Sequence, residues 1–236
     1  MSFSDLTFLF YFLPLFFAVY YILPFRFKNA ALVLGSFAFY FIGAGARDTL
    51  LLSGVLLLHY ALARAMAGKE VRTRKALLII ALAADLFCLV YFKYAAFILE
   101  NLGKLTGTAF SLVELALPLG VSFYLFQSAG YLIDVYRGDG RVQKNLINVC
   151  LYISFFPQLI AGPIVRYQTI ADEIMDRREN LPDFVLGCQR FMVGFCKKAI
   201  LANQMGLLVD TAFELQASQL SVVSAWIAAC AYLMQV

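Results

Sequence analysis

Residues 117–138 read LPLGVSFYLFQSAGYLIDVYRG. The run is apolar enough for hydrocarbon, yet it carries Pro118, Gly120, Gln127, Asp134 and Arg137. A polar group buried in lipid without a partner costs several kcal/mol, roughly, so each of these needs a partner or a purpose. Taken as a helix, Gly120, Tyr124, Gln127, Tyr131, Asp134 and Gly138 follow one another in alternating steps of four and three and form one stripe. The opposite side, Val121, Leu125, Ser128, Leu132 and Val135, is nearly all apolar and suits lipid or neighbouring helices. The stripe is therefore expected to look inward. Asp134 lies near a helix end where Arg137 is placed to pair with it, whereas Gln127 is deeper and needs protein or water. Two readings fit such a stripe: the wall of an internal passage, or helix-to-helix bonding at about 1 kcal/mol per contact.

Working outward, the whole chain shares this character. It is 62% hydrophobic and 14% charged, against roughly 45–50% and about 25% for a soluble domain. Apolar stretches fall at about 6–25, 30–45, 49–67, 76–99, 112–136, 146–165, 184–209 and 219–236, and about 20 residues suffice for a span. The expected fold is an all-α, polytopic helical membrane protein. The net charge of +4 sits in short loops and orients the chain in a bilayer, so no nucleic-acid partner is expected. Cys88, Cys150, Cys188, Cys196 and Cys230 lie singly among apolar residues with one histidine in the chain, so no metal site is expected. The apolar run at the N-terminus has no basic residue ahead of it and is too long for a signal-peptide core, which predicts a retained first helix.

Orientation follows from the basic loop RAMAGKEVRTRK at 64–75, placed in the cytoplasm. Alternation then puts Arg26 and Lys28 inside, Arg47 with Asp48 outside, Glu100 with Lys104 outside, and Arg137, Arg141 and Lys144 inside, with the N-terminus outside. In SFFPQLIAGPIVRY, 154–167, Pro157 and Pro163 remove the helical partners of the Ile153 and Leu159 carbonyls, and push Phe156 and Gly162 from helical angles. A broken or re-entrant segment lining an internal passage is expected here, with a Pro-kinked lipid-facing helix as the alternative. Residues 166–183 are the most charged stretch and read as an aqueous amphipathic helix. In CQRFMVGFCKKAILANQMG, 188–206, Arg190 and Lys197 share a helical face with Lys198 beside them. That suits either an interfacial helix with snorkelling cations or a contact for an acidic carrier or donor phosphates.

Three stretches in order, LPLGVSFYLFQSAGYLIDVYRG, SFFPQLIAGPIVRY and RFMVGFCKKAILANQMG, resemble the membrane-bound O-acyltransferase family, in its polysaccharide-acetylating subgroup. FLFYFLPLFFAVYY near the start and DLFCLVYFKYAAF at 85–97 look like the same subgroup, so the resemblance covers essentially the whole chain. It implies a helical enzyme of the bacterial inner membrane that takes acetyl from a cytoplasmic thioester or similar donor and passes it through a tunnel to an exported polysaccharide. Membrane lipids and periplasmic acetyltransferase partner proteins are implied as well, and no cofactor beyond the acyl donor. Residues 1–110 would be N-terminal transmembrane helices and 111–236 the first part of the acyltransferase core. Gln127, Tyr131, Asp134, Pro157, Gln158, Gly162 and Pro163 are the expected tunnel residues, and Arg190, Lys197 and Lys198 the expected donor or carrier contact.

One departure stands out. The family's membrane histidine comes downstream of these motifs, beyond Val236, so no catalytic residue is assigned within these residues, and the chain is expected to be a half-length piece, inert alone. His59, on an early span without the motif, reads as a packing histidine rather than a proton relay. No G-x-S-x-G elbow or Ser/His/Asp set is present. A transporter or channel, or a non-catalytic scaffold within a polysaccharide-export assembly, are the competing functions; the first would require inverted repeats and paired mid-bilayer charges, which the sequence does not show.

Overall fold

A computed structural model describes residues 3, 5–107, 116–140, 142–160, 162–215 and 220–236. The described residues are helical, with no strand among them. They form two compact units, one of Leu13–Arg177 and one of Ser2–Phe12 with Arg178–Val236. The division expected between residues 110 and 111 lies outside the described residues, as does Arg141.

The first unit contains α1 (Leu13–Ile22), α2 (Phe25–Met66), α3 (Val71–Leu89), α4 (Ala95–Thr106), α5 (Val121–Arg137), α6 (Leu146–Ser154), the single turn α7 (Phe156–Leu159) and α8 (Tyr167–Met175). A π-helical turn, Val90–Tyr94, joins α3 to α4. Two helical runs, Phe25–Met66 and Val71–Thr106, are long and apolar enough to cross a membrane. Their outward faces carry Leu34, Phe41, Ile42, Leu50, Ile79, Leu86 and Phe87, while Ser36, His59, Asp85, Gln127, Ser128, Asn148 and Ser154 are buried. That distribution inverts the one found in water-soluble proteins. It suits hydrocarbon as the solvent.

The run of α2 is not one rod. Gly45 has φ 82° and ψ 178°, a left-handed value that favours glycine and breaks the helix. In a straight helix Asn29 and Tyr60 would stand about 46 Å apart at 1.5 Å per residue. Instead the Asn29 amide donates to Asn148 Oδ1 at 3.0 Å and the Tyr60 hydroxyl to the Lys144 carbonyl at 2.8 Å, both at the N-terminal end of α6. The limbs 25–44 and 46–66 therefore fold back on each other. At the far end, the Tyr40 hydroxyl donates to the Leu119 carbonyl at 2.7 Å, and the Leu119 N–H to Asp48 at 3.3 Å.

Helix α5 stands at the centre of this unit, packed on α2, α3, α6 and α8. Both the polar stripe and the apolar side expected to suit lipid or neighbouring helices are buried: Val121, Leu125, Ser128, Leu132 and Val135 are as enclosed as Tyr124, Gln127 and Tyr131. Protein, not lipid, covers the apolar side. Phe126 alone among its large side chains is more than half exposed. Arg137 is exposed and forms no ion pair with Asp134 among the described residues; the Asp134 backbone carbonyl accepts from the Gly140 N–H at 3.0 Å. Arg74 of α3 donates to the Val135 and Tyr136 carbonyls, satisfying the C-terminal end of α5.

In the second unit, α9 (Leu181–Cys196) begins behind Asn180, whose side chain accepts from the Asp183 N–H at 2.8 Å. A π turn, Lys197–Ala202, leads into α10 (Asn203–Phe213). Helix α11 (Val222–Gln235) packs on α10, with Gly206, Val209, Ala228 and Ala231 buried. Small residues allow that close approach.

Candidate functional site

The segment after α6 is broken, as the two prolines require. The break falls at Phe155 (φ −59°, ψ 114°), one residue before the position expected from Pro157. Phe156 opens the new turn, and Pro157 is tolerated in its first turn because an N–H there has no helical acceptor. The Phe156 N–H donates instead to Ser36 Oγ at 3.1 Å. Of the residues described after Leu159, 160 and 162–166 are non-helical, with Gly162 at φ 138°. Gly120 lets α5 start directly beneath this segment: its φ is +68°, and a Cβ there would lie 2.5 Å from the Leu159 carbonyl oxygen.

A buried polar seam follows along α5. The Gln127 amide donates to the Tyr152 carbonyl at 2.7 Å and reaches Gln158 Oε1 at 3.3 Å. One helical turn on, the Tyr131 hydroxyl accepts from the Gln143 N–H at 3.0 Å, and the Gln143 amide donates to the Tyr167 hydroxyl at 3.0 Å. The Tyr152 hydroxyl donates to the Val165 carbonyl at 2.8 Å. The rings of Tyr131, Tyr152 and Tyr167 meet with centroids 5.1–6.3 Å apart, an edge-on arrangement that adds to the burial of their area. Burial raises the Tyr167 hydroxyl pKa above its ordinary value while the Gln143 donor lowers it, so the phenol remains neutral at pH 7. Two hydroxyls on α5, those of Tyr124 and Ser128, are buried with no hydrogen-bond partner.

Next to the seam lies a cleft of about 190 Å³ in the first unit. It runs between α8 on one side and α2 with α6 and α7 on the other, and Gln158 is among its lining residues. In the second unit an apolar groove between α10 and α11, flanked by Met205, Trp226 and Met234, offers no polar group that could orient a reacting acyl chain.

The structure brings together Gln127, Gln158 and Tyr131 within the seam. Asp134 is half-buried at the end of α5, and Gln158 is half-buried at the cleft. Pro157, Gly162 and Pro163 are exposed in the broken segment. Arg190, Lys197 and Lys198 are all exposed, on and just after a helix with no buried residue. His59 is fully buried, with Nε2 3.0 Å from Asp85 Oδ2 and Nδ1 2.9 Å from the Val55 carbonyl. It ties the second limb of α2 to α3. The contributions of Tyr152, Gln143, Tyr167, Asn29 and Asn148 escaped the reading of the sequence. The usable signal was Asp85: a carboxylate inside an apolar run calls for a partner, and one histidine was available. No cluster of His, Cys, Asp or Glu able to hold a metal occurs among the described residues.

No protein-family model matches the chain, and no solved structure does. Curated proteins do match, along the whole of it. The chain is 40% identical to a probable alginate O-acetylase of Pseudomonas aeruginosa, covering 46% of that protein. It is 39% identical to the corresponding Pseudomonas putida protein, covering 49%, and 31% identical to a peptidoglycan O-acetyltransferase of Helicobacter pylori, covering 50%. The chain spans about half the length of the curated relatives it matches. Along all of its length the chain is thus a homologue of proteins named as alginate and peptidoglycan O-acetylases, in line with the acetyltransferase resemblance of its three motifs.

Proposed function

We propose that this chain forms part of a membrane-embedded O-acetyltransferase that modifies hydroxyls of an exported polysaccharide. The observation that carries this reading is similarity along the full chain to proteins named for O-acetylation of two different glycans. Alginate is favoured as the acceptor class over peptidoglycan because the identity to alginate O-acetylases is higher, 36–40% against 31%. The donor is an acetyl thioester or similar compound on the cytoplasmic side. The protein is multi-pass in the bacterial inner membrane, with Lys28, Arg74, Arg137 and Lys144 toward the cytoplasm and Arg47 with Asp48 on the far side.

Acyl transfer to a sugar hydroxyl needs a base to take the proton and donors aimed at the oxyanion. The seam supplies amides and phenols, neutral at pH 7. We therefore assign Gln127, Gln158 and the Tyr131–Gln143–Tyr167 linkage a guiding role beside the acyl path and leave bond-making to groups outside these residues. The extracytoplasmic polysaccharide reaches the far end, and periplasmic acetyltransferase proteins are its natural partners there. Arg190, Lys197 and Lys198 are offered as the contact for an anionic donor or carrier.

The test is acetyl content of secreted polymer in a host lacking its own polysaccharide O-acetylase, with the full gene supplied in its membrane. Wild type restores acetyl esters. Gln127→Leu, which leaves the Tyr152 carbonyl and Gln158 without their donor, lowers the ester content by about tenfold, for a loss of about 1.4 kcal/mol, with protein level unchanged. Absence of ester in the wild-type strain, or full activity of Gln127→Leu, would overturn the reading.

A further inference from the structure

We propose that Met175, at the C-terminal end of α8, is a site of sulfoxidation by a hydroperoxide, where two side-chain amides receive the new sulfoxide oxygen. The proposal is independent of the acetyl-transfer reading. A thioether sulfur is a weak hydrogen-bond acceptor, and packing alone asks for no amide donors around it. Yet two converge on Met175 Sδ: the Asn148 amide of α6 at 3.2 Å and the Gln143 amide at 3.7 Å. Asn148 is buried. Its Oδ1 accepts from the Asn29 amide at 3.0 Å, while its own amide meets the sulfur. A buried donor that meets a weak acceptor gains from a stronger one.

Oxidation supplies that acceptor. Met175 is 57% exposed, and Asp172, Glu173 and Asp176 beside it are exposed as well, so a water-borne peroxide reaches the side chain. The sulfur attacks the hydroxyl oxygen of the peroxide, the O–O bond breaks, and that hydroxyl's proton passes to the leaving oxygen. Sulfur is oxidised by two electrons, and the peroxide is reduced to water or an alcohol. Negative charge develops on oxygen during this step, and the Asn148 and Gln143 N–H groups lie beside the reacting sulfur to stabilise it. The product bears on the seam. The Gln143 amide that meets the sulfur also donates to the Tyr167 hydroxyl at 3.0 Å, so a sulfoxide oxygen competes with Tyr167 for it.

In the experiment the full chain, purified in detergent micelles, is treated with hydrogen peroxide, and oxygen addition at each methionine is followed in time by peptide mass spectrometry. Met192 and Met234 control for exposure, since each is 57% exposed, as Met175 is. Met66, 1% exposed, reports whether the fold is intact. Met175 should oxidise about tenfold faster than Met192 or Met234, the effect of about 1.4 kcal/mol in the barrier. Asn148→Ala should bring Met175 down toward the rate of the two controls while their own rates stay fixed. That variant compares Met175 with itself, so detergent cover of the controls does not enter. If Met66 becomes reactive in Asn148→Ala, Gln143→Ala takes its place, and the wild-type comparison stands in either case. Met175 reacting no faster than Met192 and Met234, or keeping its wild-type rate in a folded variant, would overturn the proposal.

Discussion

Gly120 concentrates two constraints in one position: a left-handed φ of +68° and a backbone oxygen, that of Leu159, 2.5 Å from where a Cβ would stand. A flexible side chain could yield to a new methyl group, but a carbonyl in the broken segment cannot without moving the seam. Gly120→Ala should therefore destabilise the first unit by about 1–3 kcal/mol, seen as a lower thermal midpoint in detergent. Two buried tyrosines give a sharper contrast. The Tyr40 hydroxyl satisfies the Leu119 carbonyl, so Tyr40→Phe orphans an acceptor and should cost about 1–3 kcal/mol. The Tyr124 hydroxyl is buried and has no partner, so Tyr124→Phe should be neutral or stabilising. Parallel melts of the two variants check the pair, and equal losses would refute the assignment of partners.

The break between α6 and α7 survives because a different helix answers its unpaired donor. Ser36 on the first limb of α2 gives its Cα-proximal hydroxyl to two neighbours, donating to the Leu32 carbonyl at 2.7 Å and accepting from the Phe156 N–H at 3.1 Å. Ser36→Ala removes the acceptor with little change in volume. A loss of about 1–3 kcal/mol is expected, together with faster amide hydrogen exchange at Phe156; exchange unchanged from wild type would show that the turn holds itself. This coupling was out of reach of pattern reading, since nothing in the spacing of residues 36 and 156 announces it. The break itself was legible from Pro157 and Pro163, and its site moved by one residue because a new helical turn accepts proline near its start. The stripe on α5 was legible from its three- and four-residue steps. Burial of the other side was not, because Val, Leu and Ser read alike whether lipid or protein covers them.

Within the first unit, polar contacts collect at two ends. Asn29 meets Asn148, Tyr60 meets Lys144 and Arg74 caps α5 at one end, while Asp48 meets Leu119 at the other. Charge and hydrophobic length reveal such ends in a membrane protein, since both are set by the bilayer and not by the neighbours. The fold-back at Gly45 was likewise marked by Arg47 and Asp48 between two apolar stretches. In a cysteine-free background, a cysteine at Lys69 should react with an impermeant maleimide only after the cytoplasmic face is opened, and one at Arg47 from the outside of intact cells. Labelling of both from the same side would reverse the orientation. The bond of Arg177 to Asn29, by contrast, depends on the end of α8 returning to α2, which no local signal encodes.

The burial of two opposite sides of α5 has a further effect on what this molecule can tolerate. A substitution in that helix disturbs one contact, but a single inserted or deleted residue rotates everything beyond it by about 100°. Gln127, Tyr131 and Leu132 would then each face the wrong neighbour at once. Helix α9, which has no buried residue, has no such lock, so length changes should be survivable there and ruinous between Val121 and Arg137.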